Sequence, residues 1–377
     1  RLVIRYHSPR GAMRRLTLDI VAYPGEWLLD IPLLGKSYEQ WSAESLAVSM
    51  QEPRKALAEA WHRHLKTLEA TGPEDEQAAR DAASLFTAYL KACRDERYAM
   101  SMLSPGRFLM PGELAGSPAL TFAPLDVKED DPPPRNSLHA MMRRRFESYK
   151  ELVVRPFFRD HFARLDRQIV LTDVLSSLNA GPEALRDLET SLAAILDGFR
   201  WGRNSILDTL FHPRIDRILF AATKADHLHR SSHERLEAIL RRLVERASER
   251  AHFSGAKTDV IALASVRATR EASVRRGREE LPAILGVPAA GEVIGRTQFD
   301  GETEAAMFPG DLPADPGRLL DTSSAFQGLT KTSAEHADYR FLRLRPPVLE
   351  RTDGAAPALP QIRLDRALQF LIGDRLQ

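Results

Sequence analysis

Apolar and polar positions divide the chain into segments with two different periods. The first 24 residues contain two short runs of apolar and β-branched residues, "LVIRYH" and "RLTLDIVAY", with a turn around Pro9 to Gly11 between them. Runs this short and this close together predict an antiparallel pair of strands. After Trp27 the composition turns to Ala, Leu, Glu, Arg and Lys, which favour helix. Four segments have this character: "SYEQWSAESLAVSM", "EPRKALAEAWHRHLKTLEA", "EDEQAARDAASLFTAYLKACRDERYAMSML" and "LHAMMRRRFESYKELVVRPFFRDHFARLD".

Strand-like runs reappear after Arg167 and alternate with helices. Three of these runs are continuously apolar, which is typical of parallel strands that are covered on both faces. The strands and the helices between them are, in chain order, "RQIVLTDVLSSL", "GPEALRDLETSLAAILDGFRW", "IDRILFAATKAD", "SSHERLEAILRRLVERASERAHF" and "TDVIALASVRAT". The pattern therefore predicts the α/β class, a mostly parallel sheet with helices on both faces.

The order of these segments predicts three parts. Residues 1–34 and 166–290 form the α/β core, and residues 35–165 form a large helical insertion within it. Residues 291–377 add short strands, irregular loops and a terminal amphipathic helix, which we expect to pack on the core. Because the chain opens directly on a strand at Arg1, we expect the domain to begin upstream of this residue.

Composition narrows the classes of function. The 53 Lys and Arg residues nearly balance 52 Asp and Glu residues, which argues against a bulk nucleic-acid binder. The single cysteine, Cys93, excludes an internal disulfide and fits a reducing compartment. No apolar run approaches the length of a membrane span. These features predict a cytoplasmic protein whose 377 residues, 43% of them hydrophobic, are ample for a buried core.

The residues after the second parallel strand carry the strongest chemical signal. Ligands of open α/β sheets bind at the carboxyl ends of the strands, and here the strand leads into "FAATKADHL". The carboxylate of Asp226 can accept two hydrogen bonds from the adjacent N–H groups on the edge of guanine, whereas adenine presents an acceptor there. The stem of Lys224 can lie over a purine ring, and Thr223 can tie the loop to its neighbours. The alternative is a polar turn before a helix, with Asp226 or Ser231 as its cap.

Three strand ends resemble sequence boxes of the P-loop GTPases. They are the ends of the N-terminal run "RLTLDIVAY" and of the parallel strands in "IDRILFAATKAD" and "TDVIALASVRAT". "TKAD" is similar to the guanine-specificity box, Asn/Thr-Lys-x-Asp. Ser265 and Val266 in "LASVRAT" resemble the box whose backbone amides contact the guanine oxygen. Gly25 resembles the glycine of Asp-x-x-Gly, whose amide senses the γ-phosphate.

The third resemblance is incomplete at its acid. Ala22 stands where the Asp-x-x-Gly box has the aspartate that helps to hold Mg²⁺. The resemblance then leaves Asp19, the nearest upstream acid, as the candidate magnesium ligand, with Glu26 as a second one. The alternative for Asp19 is a strand-end acid that is paired with Arg14 or Arg15.

Longer stretches resemble one family, the YcjX-like proteins (DUF463), which are stress-associated bacterial P-loop GTPases. The resemblance implies a Ras-like core with a helical insertion, binding of GTP, GDP and Mg²⁺, and slow GTP hydrolysis. It also implies a nucleotide-dependent switch in a stress response, with a membrane-protein or stress-response partner and a place at the inner membrane surface. In this setting Trp27 and His227 become nucleotide contacts, whereas otherwise Trp27 is an anchor of the core. The stretches are "LDIVAYPGEWLLDIPLL", "RQIVLTDVLSSLNAG", "FAATKADHLH", "ALASVRATRE" and "IRLDRALQFLIGD".

The phosphate-binding loop of that family, Gly-x-x-x-x-Gly-Lys-Ser/Thr, does not occur in these 377 residues. "LLGKSYEQ" contains Gly-Lys-Ser but lacks the upstream glycine and the preceding strand. We therefore expect the loop to precede Arg1, and residues 1–377 alone to bind nucleotide poorly or not at all. An alternative of another class, which Ala22 favours, is a scaffold with a GTPase fold that hydrolyses little and binds a membrane or stress partner through its helical insertion. A third alternative is a preference for ATP, and the residue that positions the attacking water is not assigned.

Overall fold

The structure is a computed structural model, and it divides the chain into two compact units. The sheet unit comprises Arg1–Ile20, Asp166–Arg186 and Ile215–Gln377, and the helical unit comprises Val21–Leu165 and Asp187–Arg214. The residues that the structure describes are 1–9, 11–128, 133–198, 215–245, 248–249, 255–294, 296–310, 312–313, 315–316, 342–348 and 358–377.

The helical unit begins earlier in the chain than residue 35, the start of the predicted insertion. A 3₁₀ helix, Gly25–Gly35, follows the first two strands, and its apolar side chains join the core of the helical unit. Ile31 and Leu33 in this helix are almost completely buried. These contacts explain why the division falls at Val21.

The sheet unit contains the predicted antiparallel pair and the predicted parallel sheet. Strands β1 (Leu2–His7) and β2 (Met13–Leu18) pair antiparallel. Strands β3 (Arg167–Thr172), β4 (Arg217–Ala222) and β5 (Lys257–Ala262) form a parallel sheet in that order. Because the last residues of the three strands are in register, the segments that follow them leave from one edge of the sheet.

The first parallel strand is shorter than predicted. It ends at Thr172, and the carboxylate of Asp173 then accepts hydrogen bonds from the backbone N–H and the hydroxyl of Ser176. This cap starts a helix within the stretch that was assigned to strand. Helix α8 spans Val174–Ala180, and helix α9 spans Pro182–Gly198.

Helices cover both faces of the parallel sheet at β4 and β5, as the apolar runs predict. The C-terminal helix α11 (Leu364–Ile372) packs through Ala367 on one face. Helix α10 (His233–Leu243) also packs against β4 and β5. Phe220 and Val260 point to the face opposite α11 and are buried there.

A second, antiparallel sheet follows the parallel one. Its strands β6 (Arg270–Arg276) and β7 (Glu279–Gly286) were not predicted, whereas β8 (Val293–Ile294), β9 (Thr297–Gln298) and β10 (Ala305–Met307) lie where short strands were predicted. Its strands lie in the order β10, β7, β6, and a further pair consists of β8 and β9. Gly277, at φ +65°, forms the turn between β6 and β7.

Aromatic side chains fill the core of the helical unit. The rings of Trp41 and Phe146 stack with 5.0 Å between their centroids, and those of Trp61 and Tyr89 stack at 5.3 Å. A π-helical segment, Lys150–Val154, joins the last two helices. The helices are α1 (Tyr38–Ser49), α2 (Arg54–Leu57), α3 (Glu59–Leu65), α4 (Glu76–Arg94), α5 (Gly106–Leu109), α6 (Leu138–Tyr149) and α7 (Arg155–Asp160).

No helix in the described part of the chain combines the length and the apolar character that crossing a membrane requires.

Asp30 is a buried acid at the centre of the helical unit. Its carboxylate accepts hydrogen bonds from the hydroxyl of Tyr149 at 2.6 Å and from the backbone N–H groups of Gly106 and Arg107 at 2.7 and 3.4 Å. Gly106 approaches the backbone of Glu26 so closely that a Cβ atom would lie 1.8 Å from the carbonyl oxygen. Burial raises the pKa of Asp30 to about 6, against the opposing effect of these hydrogen bonds.

We expect the helical unit to lose stability as the pH rises from about 4 to about 6, because over this range Asp30 binds a proton in the folded but not in the unfolded chain. The loss amounts to about 3 kcal/mol at most. Denaturant unfolding at several pH values, followed by tryptophan fluorescence, measures it. Asp30→Asn removes the titration and should abolish this part of the slope, whereas Asp81→Asn on the exposed face of α4 should retain it. Equal slopes in Asp30→Asn and the unmodified protein would contradict the assignment.

Candidate functional site

Two loops leave the carboxyl edge of the parallel sheet side by side. Residues 223–227 follow β4 and are called the β4 loop, and residues 263–269 follow β5 and are called the β5 loop. Thr223 ties the β4 loop to β3, since its backbone N–H and its hydroxyl both donate to the carbonyl oxygen of Thr172, at 2.9 and 3.3 Å. The predicted role of Thr223, to link the loop to its neighbours, agrees with these bonds.

The two loops are bonded to each other through Asp226. The Oδ2 atom of Asp226 accepts the backbone N–H of Ala268 at 3.0 Å, and its carbonyl oxygen accepts the hydroxyl of Thr269 at 2.6 Å. The backbone N–H of Ala225 donates to the carbonyl oxygen of Leu263 at 3.2 Å. Asp226 is only 5% exposed, and no residue in the described part of the chain donates to its Oδ1 atom. One oxygen of a nearly buried carboxylate therefore keeps its capacity to accept a hydrogen bond.

Neither of the alternative helix caps is formed. Helix α10 begins at His233 after Ser232, and the N-cap position makes no side-chain hydrogen bond to the helix. Asp226 instead lies in a short 3₁₀ turn, Ala225–His227, with its carboxylate directed to the β5 loop. The observed structural role of Asp226 is therefore to join the β4 loop to the β5 loop.

Lys224 adopts a left-handed backbone conformation, with φ +60°, at the tip of the β4 loop. Its ammonium group forms an ion pair with Asp173 at 2.7 Å. Burial favours the neutral form of Asp173, but the hydrogen bonds and charge of Lys224 and the bonds from Ser176 lower its pKa overall. Asp173, which sequence reasoning missed as a site residue, therefore holds the head of Lys224 while the stem stays partly exposed.

His227 closes the β4 loop. Burial lowers the pKa of His227, against the opposing field of the Asp226 carboxylate. The ring is therefore neutral near pH 7.

The β5 loop presents two backbone amides. The amides of Ala264 and Arg267 donate to carbonyl oxygens within the C-terminal segment 360–362, at 3.2 and 2.7 Å. Between them, the amides of Ser265 and Val266 have no acceptor among the described residues, and both residues are exposed. The structure thus brings Ser265 and Val266 to the same pair of bonded loops as Asp226.

Asp19 lies at the end of β2 and is exposed. Its two carboxylate oxygens accept from the guanidinium of Arg1, at 2.7 and 2.9 Å. The hydrogen bonds from Arg1 lower the pKa of Asp19. The acid is therefore paired with a base, as the alternative interpretation has it, although the partner is Arg1 rather than Arg14 or Arg15. A magnesium role for Asp19 stays a prediction that these contacts do not support.

Gly25 and Trp27 belong to the helical unit. The indole N–H of Trp27 donates to the carbonyl oxygen of Met110 at 3.0 Å, and its ring packs edge-on against Phe157. The guanidinium of Arg107 lies over the indole, 3.2 Å from the ring centroid. These contacts favour the anchor interpretation of Trp27, and its stacking on a base, like phosphate sensing by Gly25, stays a prediction.

Comparison with known proteins identifies the family. A family model described as "YcjX-like family, DUF463" matches residues 1–376. The chain belongs to the YcjX-like family. A protein of Escherichia coli (strain K12) named "Ras-like GTPase YcjX" is 35% identical over 390 residues, which cover all of this chain and 77% of that protein. A protein of the same name from Shewanella oneidensis is 31% identical over 396 residues, which cover all of this chain and 75% of that protein.

Proposed function

We propose that this protein of the YcjX-like family is a GTP-binding protein with a P-loop core, and that the β4 and β5 loops hold the guanine base. The observation that carries the proposal is the Asp226 carboxylate, which is nearly buried, bonded to the facing loop through Oδ2 and without a described donor at Oδ1. Guanine offers two adjacent N–H donors to such an oxygen and one carbonyl oxygen to the amides of Ser265 and Val266. The names of the two relatives agree with this assignment.

The residues of the β4 and β5 loops orient the base in this proposal. Lys224, held by Asp173 at 2.7 Å, lays its stem beside the pocket and places a positive charge near the nucleotide. His227 supplies an uncharged ring at the same edge. Mg²⁺ in this class of protein neutralises charge on the transferred phosphate. Both oxygens of Asp19 are bonded to Arg1, so these contacts do not fit a role of Asp19 as a ligand of the metal.

The proposal further includes slow GTP hydrolysis and a function as a nucleotide-dependent switch in a stress response. Ala22, in place of the aspartate of the third box, supports slow turnover, and it equally favours a scaffold that binds a membrane or stress partner through the helical unit. GTP turnover by the complete gene product and by an Ala22→Asp variant separates these functions. A switch requires measurable turnover in the unmodified protein, whereas a scaffold shows none and binds its partner equally with GTP and GDP.

The proposal is tested by competition against a fluorescent GDP analogue bound to the complete gene product. We expect GTP and GDP to compete at least about a hundredfold better than ATP, because adenine leaves the buried Asp226 carboxylate facing an acceptor. ITP, which lacks the 2-amino group, should fall between them, since it retains one of the two N–H donors. Equal competition by ATP and GTP would refute guanine recognition.

A further inference from the structure

Glu271, the second residue of β6, contacts the β5 loop and the segment that follows the β4 loop. Its Oε1 atom accepts the guanidinium of Arg267, in the β5 loop, at 2.8 Å. Its Oε2 atom lies 2.8 Å from Nε2 of His229 and accepts the backbone N–H of Arg230 at 3.3 Å. His229 and Arg230 follow the β4 loop directly, after the buried Leu228. One carboxylate thus holds donors from two chain segments.

The hydrogen bonds of His229 decide which of its nitrogens carries the proton. Its Nδ1 atom accepts the backbone N–H of Ser231 at 3.3 Å, so this nitrogen is unprotonated in the neutral ring. Nε2 then carries the hydrogen and donates it to Glu271. The bond between His229 and Glu271 consequently exists in the neutral as well as in the charged ring.

We propose that Glu271 is a positioning residue for the base pocket, because its bonds to Arg267 and to the His229–Arg230 segment fix the β4 and β5 loops at the spacing that the base requires. The proposal rests on the proposed function for its ligand, though not for the bonds themselves. Asp226 joins the two loops through Ala268 and Thr269, and the backbone N–H of Ala225 joins them through Leu263. Glu271 adds a further link, or brace, between the β5 loop and the segment that follows the β4 loop, and it anchors both to the antiparallel sheet.

Glu271→Gln tests this role with little change in size. A glutamine has one acceptor oxygen, and its amide group would face an N–H donor of Arg267 or of His229, so at least one brace is lost. We expect the affinity of the complete gene product for GDP to fall about tenfold, as for the loss of a charge-assisted hydrogen bond. The matched control is Glu304→Gln, which removes the exposed pair of Glu304 with Arg270 beside the same sheet and should leave the affinity unchanged.

Hydrogen exchange supplies a readout that needs no nucleotide. The amide of Ala268, which donates to Asp226, should exchange about tenfold faster in Glu271→Gln, while the amides within β4 and β5 keep their protection. Arg267→Gln, which breaks the same brace from the other side, should reproduce this selective change.

Nucleotide affinity and Ala268 exchange together test the role of Glu271 separately from guanine binding. If the unmodified protein binds no guanine nucleotide but Ala268 exchanges selectively faster in the variants, the proposed ligand is wrong and the brace is supported. If guanine binding is confirmed but both variants match the unmodified protein in affinity and in Ala268 exchange, the brace is refuted. Faster exchange to an equal degree throughout the sheet unit would also refute it, since that pattern reports a general loss of stability.

Discussion

Replacing Asp226 with asparagine is expected to exchange xanthine for guanine as the preferred base. The amide oxygen of asparagine can keep the hydrogen bond from Ala268 that Oδ2 now accepts, which directs the amide NH₂ to the position of Oδ1. Guanine would then present donors to a donor, whereas xanthine carries a carbonyl oxygen in place of the 2-amino group and can accept from it. We expect GTP to bind on the order of a thousandfold more weakly and XTP to become the better ligand.

Competition by GTP, XTP and ATP against a fluorescent nucleotide measures the exchange. Asp365→Asn is the matched control, because this acid lies exposed in the first turn of α11 and should leave the base preference unchanged. A variant at Asp226 that still prefers GTP to XTP would contradict the assignment of the base edge. Unchanged binding of ATP, with weak binding of GTP by both proteins, would instead support the alternative of an ATP-binding protein.

The parallel sheet could be predicted because the sequences of its second and third strands fit few other secondary structures. "RILFAA" and "DVIALA" are continuously apolar and are followed by polar loops and a helical pattern, which favours a buried parallel strand. The same reasoning extended the first strand to Leu178, whereas it ends at Thr172. Period alone does not separate a short apolar helix from a strand. The signal that was available is the Asp173 cap with Ser176 three residues later.

The β6–β7 hairpin escaped prediction because charged residues occupy both strands next to its turn. Arg275 pairs with Glu280 across the β6–β7 hairpin, so opposite charges occupy positions where an apolar alternation would reveal a strand. The turn at Gly277 was the remaining local signal. The contact of Glu271 with His229 could not be recognised without strand β6, since the two residues are 42 positions apart in the sequence.

The site itself was predictable in its residue types but not in its internal contacts. Sequence reasoning placed Asp226 and Ser265 at neighbouring strand ends, which follows from the rule for open sheets. It did not give the bond from Ala268 to Asp226 or the ion pair of Lys224 with Asp173, because each depends on backbone geometry at the loop tips. The role of Trp27 could not be decided from the sequence. An aromatic residue near a glycine can contact a ligand or pack in a core, and the contact with Arg107 shows which neighbours it has.

Loss of the buried ion pair between Arg54 and Asp187 is expected to destabilise the helical unit strongly. The two side chains are 5% and 12% exposed. Asp187 also accepts the backbone N–H groups of Ser101 and Met102, at 2.6 and 2.7 Å. Arg54→Met leaves this carboxylate buried without its counter-charge, which should lower the free energy of unfolding by about 3–5 kcal/mol.

Chemical denaturation followed by tryptophan fluorescence measures this loss, because Trp41 and Trp61 lie in the core of the same unit. The matched control is Glu59→Gln, which breaks the exposed pair with Arg63 and should change the free energy by less than about 0.5 kcal/mol. A change below about 1 kcal/mol in Arg54→Met would mean that water reaches Asp187 and replaces the guanidinium. Because the acid also fixes the backbone at Ser101 and Met102, adding Asp187→Leu to Arg54→Met should recover only part of the loss, since it removes the buried charge but leaves two amides without an acceptor.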